Sequence, residues 1–203
     1  MKHSHSKTRK LYVEDHDLNV RINMNLWRDI PVGDKPPDLV NAVVEVVSGS
    51  RDKYEYNFEW EAFVLDRVIH SSVVFPVEYG FIPQTWFDDE DPLDIMVLSH
   101  EPMEVGCIIN VRTVGVLIME DEAGQDPKIL SVPVRDPRFD GIKDLKDIHP
   151  HILREIQEFF ETYKRLEPKK WGKFKAWGSA EEAKKIINYA INLYREKNPT
   201  DQR

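Results

Sequence analysis

The hydrophobic positions divide the chain into a first part with strand-like spacing and a last part with helical spacing. Runs that are rich in β-branched residues, or that alternate between polar and apolar side chains, predict strands. These runs are 39–47, 53–58, 62–69, 94–98, 108–119 and 129–134. Gly115, inside the longest run, predicts a bend or bulge. The order of many short strands followed by helices predicts a β-barrel or sandwich flanked by helices.

Two helices are predicted in the last third of the chain. Pro150 suits the first turn of one helix, and Ser179-Ala180-Glu181-Glu182 has the pattern of a capping box for the other. The first helix is expected to carry an apolar stripe at three- and four-residue spacing. The stripe comprises Ile152, Leu153, Ile156, Phe159, Phe160, Tyr163 and Leu166. No regular element is predicted for residues 171–177, and residues 75–83 are predicted to form an aromatic, proline-rich loop.

Length and composition predict one domain, residues 26–200, preceded by a polar arm over residues 1–25. At 203 residues and 41% hydrophobic content the chain is able to bury a substantial core. In the arm, His3 and His5 have the spacing of a metal-binding pair, but a mobile polar terminus is the interpretation that we favour. No apolar stretch is long enough to cross a membrane, and no apolar segment follows the N-terminus as a secretory signal would require. We therefore expect a cytoplasmic protein.

The charge of the chain restricts the function classes. Its 36 acidic and 28 basic residues give a formal net charge of −8, whereas a nucleic-acid binder normally shows a basic patch or stripe. A phosphate substrate remains compatible with this charge if metal ions reverse it locally. Cys107 is the single cysteine, which excludes an internal disulfide framework and a cysteine-rich zinc site.

An acidic cluster at residues 88–94 is the strongest candidate for chemistry. It holds five carboxylates immediately before the apolar run 95–98. An extended chain would place Asp89 and Asp91 on one side, Pro92 favours extended backbone at Asp91, and a turn would bring Asp94 to join them. Such like charges repel one another unless they are solvated or neutralised by cations. Their hard oxygen ligands suit magnesium, manganese or calcium rather than zinc, and a solvated acidic loop is the alternative.

Seven short motifs, in order and spacing, resemble the soluble metal-dependent inorganic pyrophosphatases of family I. The resemblance covers residues 25–195, and Asp89-Glu90-Asp91-Pro92-Leu93-Asp94 is its strongest part. The other motifs are Val44-Glu45-Val46, Lys53-Tyr54-Glu55, Leu65-Asp66-Arg67, Glu78-Tyr79-Gly80-Phe81-Ile82-Pro83, residues 121–128 and residues 159–164.

This resemblance implies both a fold and a reaction. The implied fold is α+β and mainly β: a five-stranded OB-like β-barrel flanked by two C-terminal helices. The implied reaction is hydrolysis of pyrophosphate to two orthophosphates with several Mg²⁺ ions, for which Mn²⁺ or Zn²⁺ substitute. Bacterial-type members are usually hexamers, so we expect a homo-oligomer with six subunits. Neither nucleic acid nor a membrane is an expected partner.

The resemblance also assigns roles position by position. Asp91 is expected to act as, or to orient, the general base for the attacking water. The implied metal ligands are Asp89, Asp94, Asp121 and Asp126. The residues expected to hold phosphate oxygens are Lys53, Arg67, Tyr79, Lys128, Tyr163 and Lys164. Glu45 and Glu55 are expected to line the site, Glu45 through a water bound to a metal.

One position departs from the family pattern, and two other function classes are compared with the sequence. Glu90 stands where many bacterial members of the family have glycine, and it adds charge beside the site. A calcium-binding EF-hand fails because Asp94 takes the position of the required glycine and His100 that of the required glutamate. A non-enzymatic OB-fold that binds nucleic acid is opposed by the acidic charge. Without the family pattern, Lys53 and Glu55 would be interpreted as an ordinary strand ion pair.

Overall fold

The computed structural model describes residues 24–198. Most of the predicted arm, including the histidine pair His3 and His5, therefore lies outside the described residues. Asn25 is buried, and its side-chain oxygen accepts hydrogen bonds from the backbone N–H groups of Trp27 and Arg28. The chain is thus already packed on the domain at this position.

Nine strands and two α-helices, with two short 3₁₀ turns at Pro137–Phe139 and Leu145–Asp147, form the described part of the chain. The strands are β1 (Leu39–Val46), β2 (Asp52–Asn57), β3 (Ala62–Val68), β4 (Glu78–Phe81), β5 (Asp94–Val97), β6 (Ile108–Asp121), β7 (Gly124–Gln125), β8 (Lys128–Pro133) and β9 (Gly172–Ser179). The helices are α1 (Pro150–Thr162) and α2 (Ala180–Lys197).

Five of these strands close into a ring. Pairing runs β1–β4–β5–β8–β6, and β6 pairs back to β1, so the predicted five-stranded barrel is confirmed. All neighbours in the ring are antiparallel except β5 and β8. The far half of the long β6 leaves the ring and pairs with β7 and β9. The shift in register between Thr113 and Gly115 matches the predicted irregularity.

The two helices pack on opposite faces of the sheet, so its strands are buried on both faces. Met96 of β5 belongs to the same apolar cluster as Ile156, Phe159 and Phe160 of α1. The adjacent Ile95 belongs to a second cluster, which contains four buried residues of α2. Successive side chains of a strand point to opposite faces, so β5 has core on each side. This part of the fold carries the acidic residues that precede or begin β5, and Asp126 and Lys128 at the start of β8.

The β2–β3 hairpin is a separate two-stranded sheet beside the barrel. It packs on the barrel through Tyr56, whose ring centroid lies 5.8 Å from that of Phe81. The backbone N–H of Tyr56 also donates to Oε1 of Glu45 on β1, at 2.7 Å. In contrast to the barrel strands, β3 contains no buried residue.

Several predictions for individual elements were wrong. The loop predicted at 75–83 contains β4, a barrel strand, where an ideal Cβ on Gly80 would lie 1.9 Å from the carbonyl oxygen of Val43. Residues 172–177, for which no regular element was predicted, belong to β9. Helix α1 ends at Thr162, so Leu166 lies beyond it and is 65% exposed. The acidic cluster forms a turn rather than an extended chain, with Glu90 in left-handed backbone at φ 67°.

Candidate active site

A cavity of about 710 Å³ lies where the loops of the barrel meet the hairpin and the segment after α1. It collects every residue of the predicted site except Lys128, which contacts two of its carboxylates. The predicted residues that line it are Glu45, Lys53, Glu55, Arg67, Tyr79, Asp89, Asp91, Asp94, Asp121, Asp126, Tyr163 and Lys164. Segments far apart in sequence therefore converge on one polar site.

The acidic turn is anchored by its apolar member, Leu93, which is buried and donates its N–H to Thr85 Oγ1 at 3.0 Å. The N–H of Phe87 donates to the carbonyl of Asp91, and the N–H of Asp91 donates to Oδ1 of Asp89 at 3.3 Å. Burial, followed by the charge of Asp94, raises the pKa of Asp89 to about 6 and that of Asp91 to about 7. The turn thus concentrates negative charge at the mouth of the cavity.

Lys128, at the start of β8, lies at the centre of the barrel side of the site. Its Nζ is 2.5 Å from Asp94 Oδ2, 2.7 Å from Asp126 Oδ1 and 3.1 Å from the Tyr79 hydroxyl. Burial would lower the pKa of Lys128, but Asp126 and Asp94 raise it well above its usual value. Burial raises the pKa of Tyr79, whose hydroxyl also donates to Asp94. Lys128 therefore acts as an internal counter-ion for two carboxylates.

A second ion pair joins the end of β6 to the segment after α1. Lys164 Nζ lies 2.8 Å from Asp121 Oδ2, and the ring of the neighbouring Tyr163 stacks on Phe159 with centroids 5.0 Å apart. Burial opposes ionisation of Asp121, but the Lys164 ammonium and the N–H of Ala123 lower its pKa overall. Asp121 is therefore held as a carboxylate beside a cation.

The hairpin contributes cations and carboxylates on the opposite wall. Lys53 pairs with Glu55 and lies 3.9 Å from Asp66. Arg67 pairs with Asp66, and its Nε lies 2.8 Å from Glu167 Oε2. On β1, Glu45 is 9% exposed, and burial raises its pKa to about 8.

The donor chemistry of the site fits a hard divalent cation. Within residues 24–198 no three acidic, histidine or cysteine side chains converge closely enough to hold a metal by themselves. Mg²⁺ does not need such a cage, because it retains several waters and binds through one or two carboxylates together with substrate phosphates. Asp89 and Asp91 have raised pKa values beside Asp94. A divalent cation would relieve this repulsion between carboxylates.

The sequence interpretation missed several polar residues at or near the cavity. Asn57, Glu59, Asp66 and Lys170 line it, and Glu167 lies behind Arg67. Asp66 was named within the motif Leu65-Asp66-Arg67 but was given no role, and Lys170 sits in a basic pair that resembles solvated surface. Glu167 precedes a proline after the predicted helix, and nothing local marks it as buried.

Comparisons with known proteins agree with this architecture. The chain matches the family model of inorganic pyrophosphatase over residues 42–195. An inorganic pyrophosphatase of Haloferax volcanii is 48% identical over 173 residues, which is 85% of this chain and 98% of the relative. The crystal structure of inorganic pyrophosphatase from Thermus thermophilus has a TM-score of 0.82 at 45% identity, over 85% of this chain and 99% of that chain.

A more distant structure has the same fold. Type I inorganic pyrophosphatase from Toxoplasma gondii has a TM-score of 0.79 at 26% identity, over 86% of this chain and 88% of that chain. Among residues 24–198, no helix is both long and apolar enough to span a membrane. The family match over three-quarters of the chain and the two shared architectures lead to one assignment. The chain belongs to the inorganic pyrophosphatase family.

Proposed function

We propose that this enzyme hydrolyses pyrophosphate to two orthophosphates in the acidic cavity, with Mg²⁺ as its metal. The observation that carries the proposal is the composition of the cavity walls. Carboxylates of the acidic turn face cations of the hairpin, Lys53 and Arg67, across one polar space. Pyrophosphate is highly charged, so it needs both cationic side chains and metal ions to bind beside carboxylates.

Asp89, Asp94, Asp121 and Asp126 are the residues that would hold the metal ions. They come from the acidic turn and from the two ends of the loop between β6 and β8, so barrel strands fix their spacing. Bound Mg²⁺ would lower the pKa of a water and screen the phosphate charge. Lys128 and Lys164 now neutralise three of these carboxylates, and they would move partly toward phosphate oxygens when the cations arrive.

Asp91 is the residue that we assign to the proton of the attacking water. It lines the cavity, and among residues 24–198 its carboxylate makes neither an ion pair nor a hydrogen bond. Asp94, Asp121 and Asp126 each have a lysine partner instead. A carboxylate with free oxygen atoms is suited to accept a proton or to orient a water.

The remaining cations and tyrosines would hold the phosphates. Lys53 and Arg67 approach from the hairpin, and Tyr163 and Lys164 approach from the segment after α1. Tyr79 and Lys128 approach from the barrel. The substrate would thus be gripped from three parts of the fold, with Glu45 and Glu55 between them, and this positioning fixes the phosphate groups relative to the water.

Phosphate release from pyrophosphate, measured across magnesium concentrations, tests the proposal. We expect turnover that requires Mg²⁺, and inhibition by Ca²⁺, which is larger and accepts looser geometry. Well-folded protein that releases no phosphate at any Mg²⁺ concentration would refute the proposed function. Undiminished turnover with Ca²⁺ in place of Mg²⁺ would contradict the proposed metal geometry.

The proposal extends to assembly and location. A homohexamer in the cytoplasm is the state we propose, by analogy with bacterial-type members. Exposed apolar side chains support burial between subunits: Val74, in a groove beside α1, is 43% exposed, and Ile152 of α1 is 37% exposed. A monomeric mass by light scattering at micromolar concentration would refute the oligomer. Fractionation of the source cells tests the location.

A further inference from the structure

Glu167 is a buried carboxylate without an assigned role. Its side chain is 4% exposed, and Oε2 lies 2.8 Å from Nε of Arg67. Within residues 24–198 neither of its carboxylate oxygens makes a hydrogen bond of good geometry, nor does Arg67 Nε. The contact is therefore an ion pair. A buried carboxylate that lacks a cationic partner is strongly destabilising, so the ion pair with Arg67 stabilises Glu167 at this position.

The ion pair joins the turn after α1 to the β2–β3 hairpin. Glu167 lies in the turn that carries Lys164, and its N–H donates to the Lys164 carbonyl at 2.9 Å. Arg67 lies on β3, in the hairpin that shares no strand pairing with the barrel. A second contact nearby is that of His70 Nδ1 with the carbonyl oxygen of Leu166, at 3.4 Å. The aromatic cluster around Tyr56 and the hydrogen bond from Tyr56 to Glu45 attach the hairpin without involving Arg67, so the Glu167 contact helps to determine where the Arg67 guanidinium lies.

We propose that Glu167 is a positioning residue that holds the Arg67 guanidinium in the orientation that binds a phosphate group of pyrophosphate. The inference rests on the phosphate-binding role proposed for Arg67. Nε lies 2.8 Å from Oε2 of Glu167 and Nη1 donates to Asp66, so two acidic groups flank the planar guanidinium. A guanidinium has five N–H donors in a fixed fork, which leaves donors for phosphate oxygens. Glu167 itself is not among the residues that line the cavity, so its effect passes through Arg67.

Replacement of Glu167 by glutamine tests this role, because glutamine keeps the shape and removes the charge. We expect kcat/KM for pyrophosphate at saturating Mg²⁺ to fall about ten- to a hundredfold, since small misplacements of a binding group have effects of this size. More of the loss should appear as a higher KM than as a lower kcat. E104Q is the matched control, because Glu104 is an exposed residue away from the cavity lining, and its kinetics should equal those of the wild type.

A double-mutant cycle with R67M separates positioning from a structural role. In the R67M background, E167Q should cause no further loss in kcat/KM, and it should raise the melting temperature because it removes an unpaired buried charge. Equal losses in both backgrounds would overturn the inference, since Glu167 would then act without Arg67. So would wild-type kinetics of E167Q in an enzyme that R67M impairs.

The outcomes also separate this inference from the proposed function. If the wild type and E104Q release no phosphate, the proposed function itself fails. If circular dichroism shows that E167Q is unfolded, E167D takes its place in the cycle. E167D retains the charge on a shorter side chain. Its loss in kcat/KM should therefore be smaller than that expected for E167Q when Arg67 is present, and it should cause no further loss in R67M.

Discussion

The barrel and the β2–β3 hairpin both supply the cavity, but different interactions hold them in place. Strands β4 and β8 are buried along their whole length, and the ring of pairings through β6 fixes every barrel strand between two neighbours. The hairpin strands are mostly half-buried or exposed, and they are attached by an aromatic cluster around Tyr56 and by polar contacts of Glu45 and Arg67.

The two regions also supply different chemical groups to the cavity. The barrel side presents the carboxylates Asp94 and Asp126, which form a compact network around Lys128. Metal ligands need fixed spacing, which a closed barrel provides. The hairpin presents Lys53 and Arg67, whose long side chains reach the cavity from a less constrained support. The comparison therefore predicts that changes in the barrel alter stability and metal binding, whereas changes in the hairpin alter the grip on substrate.

The largest effect is expected from D91N in the acidic turn. Loss of the basic oxygen should lower turnover about a hundred- to ten-thousandfold, while metal affinity largely survives and excess Mg²⁺ restores nothing. D94N removes a proposed metal ligand and one partner of Lys128, so both metal affinity and turnover should fall and added Mg²⁺ should recover part of the loss. Magnesium titrations of both variants check this. Rescue of D91N but not of D94N would reverse the two roles.

A core truncation should separate the barrel from the hairpin in stability. Leu130 of β8 is 0% exposed, whereas Leu65 of β3 is 47% exposed. L130A should lower the free energy of unfolding by about 2–5 kcal/mol because it leaves a cavity. L65A should change it by about 0.5 kcal/mol or less. Urea unfolding of both variants gives the comparison, and equal losses would show that the hairpin is as tightly packed as the barrel.

The stability of the protein should depend on pH through Glu45, which connects the barrel to the hairpin. Burial raises its pKa from 4.5 to about 8, so the folded state retains a proton that the unfolded chain releases. Stability from this group is therefore present below about pH 4.5 and is lost as the pH rises toward 8. In chelator, E45Q should stabilise the protein by about 1 kcal/mol or more above pH 8, with no gain at pH 4.

Melting curves of E45Q at both pH values provide the measurement, and E104Q, at an exposed position, is the control. An equal shift at both pH values would show that Glu45 is not protonated in the fold. The hydrogen bond from Tyr56 to Oε1 can also be accepted by the glutamine oxygen, so the packing of the hairpin should be preserved.

The smallest effect is expected at Glu90. Its φ of 67° is disfavoured for a side-chain-bearing residue by roughly 1–2 kcal/mol, and glycine offsets part of this gain through the larger entropy of the unfolded chain. E90G should therefore raise stability by about 1 kcal/mol or less. E90A keeps the left-handed requirement and should give no such gain. If E90A stabilises as much as E90G in thermal melts, the charge and not the backbone is the cause.

The sequence predicted the barrel well because each of its longer strands carries its own pattern. Runs around β1 and β6 are dense in β-branched residues, and the capping box at Ser179 is present as predicted. The four-residue β4 was missed because aromatic and proline residues around Tyr79 resemble a loop. Its identity as a strand depends on the close approach of Val43 to Gly80, which is a tertiary property.

The site was predicted in composition but not in its supporting contacts. The family pattern named the residues that line the cavity, yet the roles of individual carboxylates stay predictions. Glu167 was missed because its burial depends on Arg67, which lies 100 positions earlier in the chain. Likewise, the left-handed turn at Glu90 is dictated by the anchoring of Leu93 and Phe87 on the barrel, not by its own side chain.

The long strand β6 also has a consequence for the route by which the chain reaches this fold. Its first half pairs with β1, whose partner residues lie about 70 positions earlier, and its second half pairs with β9, about 60 positions later. Closing such long loops costs chain entropy before any contact compensates for it. Folding should therefore be slow, in the range of milliseconds to seconds that is typical of topologies dominated by distant pairings. A nascent chain would stay aggregation-prone until residue 179 has been synthesised, since only then does β6 have all of its partners.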